Sequence, residues 1–245
     1  MDDNTRYVQE LCARAAQRNI SLFTRFLNLT EQKEAEVFAR KAGAAYRFFG
    51  GAEDCERKML GLSGDEAPEE YTFPLACLMV APRSVKFASP IAHRDVLGSL
   101  MGLGIERELV GDIVVRDEGA YIFCTDKMAE FIRTGLTKIG NTDVNCDYAA
   151  PPEGDLRKYK EVRVQVTSPR LDAIVAHLFK LSRGDAQTLF RQGKIMVDDS
   201  VCERTDYLLK EGQILSVRGF GRARYMGVEN LSKKGKSNLL IQLYA

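Results

Sequence analysis

Residues 170–201 read RLDAIVAHLFKLSRGDAQTLFRQGKIMVDDSV, and the spacing of apolar side chains in this stretch predicts two short helices followed by a hairpin. Leu171, Ile174, Val175 and Leu178 recur at helical intervals, and Leu181-Ser182 interrupts the run where Ser182 can cap a second helix. In that helix Ala186, Leu189 and Phe190 take the buried side. Arg183, Gln187 and Arg191 fall four residues apart on the other, and Lys194 continues their line. Gly193 suits the helix end, and Ile195, Val197 and Val201 flank a turn at Asp198-Asp199-Ser200. A short strand from Ile214 to Arg218 closes the unit. Two helices and a hairpin that gather cations on one surface make an RNA-binding layout.

Two readings fit the basic stripe on its own: a solvated helix face, or a surface for an anionic ligand. A helix N-terminus presents unpaired N–H groups and the positive end of its dipole, so Arg183 in that first turn favours the anion. A second cluster, Arg218, Arg222 and Arg224, is interleaved with Phe220 and Tyr225; this is either a stacking surface for unpaired bases or a loop. The candidate nucleic-acid-binding residues are therefore Arg170, Ser182, Arg183, Gln187, Arg191, Lys194, Arg218, Arg222 and Arg224.

The near-neutral total hides an asymmetry. Residues 160–245 hold 15 Lys and Arg against 9 Asp and Glu, whereas residues 1–159 hold 20 against 25. Affinity for nucleic acid belongs with the basic C-terminal part, and the front is aimed elsewhere. Six scattered cysteines form no Cys-x-x-Cys, and only His93 and His177 could join them, so neither a metal site nor a cofactor is expected. No signal-like segment and no long apolar run is present, which points to a cytoplasmic protein with reduced thiols.

Nearer the start, Val8, Leu11, Cys12 and Ala15 mark an amphipathic helix, and Thr30, with Gln32 and Glu34 behind it, is expected to cap another through Ala45. Tyr46 to Phe49 and Glu56 to Leu62 read as a hairpin about Gly50-Gly51. In the middle, Leu75 to Val80 reads as a strand and His93 to Leu103 as a helix. Asp112 to Arg116 and Ala120 to Cys124 read as a hairpin, Met128 to Ile139 as a helix and Asp143 to Tyr148 as a strand. That order is β-α-β-β-α-β, the ferredoxin-like arrangement many RNA-binding modules share, with Tyr121 and Phe123 as its candidate stacking aromatics.

Two enzyme-like motifs dissolve on inspection. His93-Arg94-Asp95 looks like a kinase catalytic triplet, but Leu100 stands where the metal-binding Asn belongs and no glycine loop precedes it. Gly102 and Gly104 lack a third glycine and follow a helix instead of opening one. Pro151-Pro152 with Glu153, Gly154 and Asp155 reads as a linker. Val162 to Val166 and Leu239 to Tyr244 alternate as strands that can pair. Between them Lys233, Lys234 and Lys236 form a cationic loop, equally an attractor of phosphate or a solubilising surface.

The residues quoted resemble two known patterns. Arg170-Leu171-Asp172, Ser182-Arg183, Ala186, Gly193, Val197 and Val201 resemble, in register, the S-four RNA-binding domain named after ribosomal small-subunit protein four. Two departures are Asp198-Asp199, where that family often has Asn-Gly, and Gly212-Gln213, where it has Gly-Asp. Over most of the chain Phe49-Gly50-Gly51, Glu56-Arg57-Lys58, Leu97 to Ile105 and Gly111-Asp112-Ile113 resemble the bacterial YlmH family, least so in the first forty residues. The expected architecture is α+β: a small α/β domain over 1–72, a ferredoxin-like domain over 73–150, a linker over 151–160 and an S-four domain over 161–245.

The resemblance implies a non-enzymatic RNA-binding protein, expected to be a monomer. It would bind structured rRNA and tRNA on the large ribosomal subunit, in the quality control of stalled nascent chains. Protein partners would be met through residues 1–150, and no membrane is involved. Competing readings are an RNA-modifying enzyme, a pseudouridine synthase or rRNA methyltransferase, or a scaffold for cell division. The first is disfavoured because the chain's Arg-Leu-Asp at 170–172 lies in the binding module and no glycine-rich cofactor turn is present.

Overall fold

The computed structural model describes residues 3–18, 20–84, 90–232 and 235–244, and the chain divides into two compact units, 1–156 and 157–245. Lys233 and Lys234 of the cationic loop lie outside the described residues; Lys236 is exposed.

The first unit begins with α1 (Asp3–Arg18), β1 (Leu22–Phe23), α2 (Leu29–Ala42), β2 (Ala45–Phe49) and β3 (Met59–Ser63). The three strands form an antiparallel sheet in the order β1-β3-β2. Val8, Leu11, Cys12 and Ala15 of α1, spaced to share one stripe, pack with Ala35, Ala39, Leu60 and Leu62. The cap of α2 is Asn28, not Thr30. The Asn28 side-chain oxygen accepts the N–H groups of Thr30 and Glu31 at 2.9 and 3.0 Å, and Glu31 accepts the Asn28 N–H at 2.7 Å, a reciprocal capping box that leaves Thr30 inside the helix.

Next come β4 (Leu75–Pro82), α3 (His93–Gly102), β5 (Val110–Arg116), β6 (Gly119–Thr125), α4 (Asp126–Gly135), β7 (Lys138–Ile139) and β8 (Thr142–Tyr148). The sheet order β5-β6-β4-β8-β7, antiparallel throughout, is the ferredoxin-like arrangement with one short strand added. That added strand corrects the expected end of α4. The helix stops at Gly135, and Ile139 pairs with Thr142 across a turn at Gly140, so its apolar side chain enters the core from a strand. On one face Leu78, Val80, Ile113 and Ile122 pack with Val96, Leu100, Ala129 and Ile132 of the two helices.

The opposite face of this sheet is buried over β4, β5 and β6, while Asp143, Asn145 and Asp147 of β8 remain exposed. Cys77, Val114 and Phe123 lie in one core with Phe26, Cys55, Met59, Phe73 and Leu156. The junction is a carboxylate: Asp112, 5% exposed, accepts the N–H groups of Glu56 at 2.7 Å and Arg57 at 3.1 Å. The Arg57 guanidinium donates to the carbonyls of Val110 (3.2 Å) and Phe26 (3.0 Å). Gly111 admits this approach, since a Cβ there would stand 2.7 Å from the Phe26 ring, and a Cβ on Gly51 would strike Phe123. The proline-rich stretch ends docked, with Leu156 buried and Arg116 donating to the carbonyls of Asp155 (2.6 Å) and Leu156 (3.1 Å).

The second unit holds β9 (Tyr159–Val166), α5 (Leu171–Leu178), α6 (Arg183–Arg191), β10 (Ile195–Val197), β11 (Ser200–Val201), β12 (Ile214–Val217), β13 (Gly221–Leu231) and β14 (Ser237–Tyr244). Its strands order as β11-β10-β12-β13-β14-β9. The alternating strands at the two ends of this unit do pair, from Tyr159 opposite Tyr244 to Val166 opposite Ser237. Both helices pack on one face of the sheet, where Leu171, Ile174, Ala186, Leu189 and Phe190 meet Ile195, Leu215, Val217, Ala223 and Leu239. The helix end at Gly193 has φ 62°, which glycine adopts without strain, and Lys194 N–H returns to Leu189 O at 3.0 Å.

Asp112→Ala strips two N–H groups of their acceptor at a buried junction, at about 1–3 kcal/mol for each group. Urea unfolding followed by far-ultraviolet circular dichroism should therefore show a loss of roughly 2–6 kcal/mol in the first unit; unchanged stability would mean that apolar packing alone holds the two layers. The thiols give a second check. Burial pushes Cys12 and Cys146 up to about 11 and Cys77 and Cys124 up to about 12, and Cys55 is buried, whereas Cys202 is half-buried. A maleimide near neutral pH should label Cys202 first in the native protein and the other five only on unfolding.

Candidate nucleic-acid interface

The expected stripe on α6 is present as a surface. Ser182 caps the helix, its Oγ accepting the Asp185 N–H at 3.1 Å and donating to the Asp185 carboxylate at 2.6 Å. Asp185 supplies the negative charge that the first turn favours, which offsets part of the cost of Arg183 there. Arg183, Gln187 and Arg191 are exposed, opposite buried Ala186, Leu189 and Phe190. Neither arginine forms an ion pair among the described residues. Elsewhere arginines are engaged: Arg25 with Glu106 and Glu108, Arg133 with Glu130, Arg163 with Glu229.

Two open clefts flank the stripe. One, of about 550 Å³, is lined by Thr167, Ser168, Arg170, Asp172, His177, Arg183 and Gln187 among others. The second, of about 500 Å³, is lined by Gln187, Phe190, Arg191, Glu203 and Thr205. Gln187 thus belongs to both. Arg170 is in the first cleft but partly spent, for its guanidinium donates twice to Asp172, at 3.1 and 2.9 Å, and that carboxylate raises its pKa above the ordinary value. The N-terminus of α5 is closed by backbone: Leu171 and Asp172 donate to the carbonyls of Tyr207 (2.8 Å) and Thr205 (3.0 Å).

The other basic residues gather on a different side. Alternation along β12 and β13 sends Leu215, Val217, Ala223 and Tyr225 into the core, and Ser216, Arg222 and Arg224 to the face the helices do not cover. Lys194 and Arg218 stand next to one another, joined by the Arg218 N–H to Lys194 O bond of 3.0 Å. Lys194, expected to continue the line of α6, thus stands beside Arg218 of the second cluster. The loop reading of the second cluster holds for Arg218 and Phe220, in the turn between β12 and β13, and is corrected for Arg222 and Arg224, which lie within β13. Its aromatic partners are corrected too. Tyr225 is 5% exposed, and burial pushes its phenol pKa up, while Phe220 leans on Phe179 with 5.9 Å between centroids. The rings beside the arginines are Tyr159, under Arg224 at 5.6 Å, and Tyr244, under Arg222 and Arg157 at 5.8 Å each. Sequence reasoning missed Arg157, Tyr159 and Tyr244; the alternation of both strands was visible, but the register that sets Tyr159 opposite Tyr244 was not.

The hairpin turn explains the two departures noted in the S-four pattern. Asp198 and Asp199 both have positive φ, 50° and 69°, in a two-residue turn between Val197 and Ser200. Asp198 is buried, and its carboxylate accepts the Ile214 N–H at 2.9 Å and the Gln213 side-chain amide at 2.8 Å. Asp198 and Gln213 are therefore one paired change. Asp199 accepts from Arg222 at 3.1 Å, which ties the turn to the basic face.

The two candidate stacking aromatics of the ferredoxin-like sheet are not available to a base. Phe123 is fully buried and Tyr121 half-buried in the core shared with Phe26, Met59 and Phe73, so the surface on which base-stacking sheets bind RNA is filled by the chain's own N-terminal residues.

Residues 68–151 match the model described as a putative RNA-binding domain in YlmH, and residues 169–215 match the S4 domain, which spans α5, α6 and the hairpin. The chain is 34% identical over 216 residues to the ribosome-associated protein quality control protein P2 of Bacillus subtilis (strain 168), covering 87% of this chain and 83% of that one. The cell division protein ylmH from Streptococcus pneumoniae shares the fold, with a TM-score of 0.52 and 23% identity over 61% of this chain and 93% of that chain. None of the matched domains is of an enzymatic family. With a close relative aligned along most of both chains and an S4 domain on its basic helix pair, the chain belongs to the YlmH family of RNA-binding proteins.

Proposed function

We propose that the protein is a non-enzymatic binder of structured rRNA and tRNA that works on the large ribosomal subunit, in the quality control of stalled nascent chains. The observation that carries the reading is α6, with Arg183, Gln187 and Arg191 in one exposed line, two guanidiniums without ion pairs among the described residues, and a cleft on either side. Eight residues of helix span about 12 Å, enough for the two arginines to meet separate phosphates along an RNA strand. Gln187, between them, can read shape or a base edge through either cleft. The name of the Bacillus subtilis relative, a ribosome-associated quality control protein, supports the ribosomal setting. Residues 1–150 serve as the part that meets protein partners. The protein acts as a monomer in the cytoplasm, and among the described residues no helix is long and apolar enough to cross a membrane.

Charge reversal at Arg183 and Arg191 to Glu should abolish co-sedimentation with ribosomes at physiological salt while changing stability by less than about 0.5 kcal/mol. Leu189→Asp, on the buried side of the same helix, should unfold the unit by placing a charge in its core. Full co-sedimentation of the double reversal would reduce the stripe to a solvated face. Residues 157–245, with their own core, should bind structured RNA with an affinity that falls steeply with salt, and each arginine removed from the stripe should flatten the log–log slope by roughly 0.7–0.9. Binding confined to residues 1–156 would reverse the assignment.

A further inference from the structure

The sheet face of the second unit that the helices leave uncovered holds hydrogen-bond donors without acceptors. Ser216 is 5% exposed, and its Oγ has no hydrogen-bond partner among the described residues. It stands in register with Arg222, one strand over, with Arg224 two residues further along β13. Arg224 forms no hydrogen bond or ion pair among the described residues, and its Nε is buried without a partner. What holds Arg224 is the Tyr159 ring, 5.6 Å from the guanidinium carbon; Tyr244 holds Arg222 and Arg157 in the same way and packs edge-on against Tyr159 at 5.1 Å.

An aromatic face positions a guanidinium without neutralising it, whereas a carboxylate does both. Here three guanidiniums surround two rings; Arg222 also bonds the Asp199 carboxylate, and Arg224 bonds none among the described residues. Glu161, which alternation places on the same face as Tyr159, bonds none of the three. A buried donor without an acceptor is costly, and a rigid group of them beside excess positive charge fits a bound anion with several acceptor oxygens.

We propose that Ser216, Arg222 and Arg224, preorganised by Tyr159 and Tyr244, form a phosphate site on the outer face of the sheet that takes a backbone phosphate of RNA. It rests on the RNA-binding reading above and extends it, because α6 packs on the opposite face of the same sheet. The segment held here is therefore distinct from the one that lies along α6. Tyr159 and Tyr244 are positioning residues, and they leave ring edges on which a ribose or an unpaired base can rest.

The test uses the full chain, a single-stranded oligouridylate, a hairpin RNA and inorganic phosphate. Arg224→Gln should weaken oligouridylate binding by about tenfold and lower the salt slope by about 0.7. It should do so equally when Arg183 and Arg191 are already reversed. Tyr159→Phe should retain binding and Tyr159→Leu lose it, because the ring face and not the hydroxyl does the positioning. Unchanged affinity and slope for Arg224→Gln overturn the site and leave the α6 reading standing, whereas loss there with no effect of the α6 reversal keeps the site and removes the stripe. If phosphate raises the melting temperature of the wild type but not of Arg224→Gln, and RNA binding is unaffected, the site takes free phosphate and the RNA assignment falls. Should Arg224→Gln melt early, Arg224→Lys serves in its place: it keeps the charge and the slope but should lose affinity several-fold with the planar fork, and undiminished affinity would sink the proposal.

Discussion

Asp112 decides what the larger unit can do. By accepting the N–H groups of Glu56 and Arg57 it fastens the N-terminal layer to β5, an edge strand of the ferredoxin-like sheet. Phe26, Met59 and Phe73 then fill the face on which related modules stack bases. A buried carboxylate is tolerated here because both oxygens are bonded and the neighbouring Arg57 guanidinium is itself anchored to carbonyls. The consequence is a sheet with helices on one face and the N-terminal layer over β4, β5 and β6 on the other; the residues of β8 exposed on that second face, Asp143, Asn145 and Asp147, are polar.

The second unit follows the opposite rule. Its helices cover one face of its sheet; on α6 Arg183 and Arg191 form no ion pair among the described residues, and on the other face Arg224 lies over the Tyr159 ring while Arg222 lies over Tyr244 and bonds Asp199. Burying apolar side chains of α5 and α6 does the folding, which frees the polar side of α6 from any structural duty. Residues 157–245 carry 17 Lys and Arg against 9 Asp and Glu. That surplus opposes compaction of a small domain through self-repulsion, and an anionic partner would relieve it.

Periodicity made most elements legible. α1, the hairpin of β2 and β3, the β-α-β-β-α-β order and the α5–α6 pair all follow from where apolar residues repeat. What failed was local competition and long-range pairing. Thr30 looked like a cap because Asn28, one step beyond Leu29, completes its box only through Glu31; α4 was read too long because Ile139 continues an apolar pattern that a tight turn at Gly140 converts into a strand. The stripe on α6 needed only helical spacing and was visible. The cluster of Arg157, Tyr159, Arg222, Arg224 and Tyr244 needed the register of β9 on β14 and of β14 on β13, which no local pattern encodes.

Three of the motifs that resemble the YlmH family build the fold. Phe49-Gly50-Gly51, Glu56-Arg57-Lys58 and Gly111-Asp112-Ile113 come together at the Asp112 junction, where a Cβ on Gly111 would collide with Phe26 and one on Gly51 with Phe123. Such positions tolerate few residues because backbone meets backbone or ring. An arginine that meets a phosphate from an exposed helix face is constrained far less, since long side chains reach the same oxygen from several positions. Resemblance at these motifs therefore reports architecture, whereas the cations proposed to meet RNA lie far apart in sequence and are set side by side only by the pairing of strands and the packing of helices.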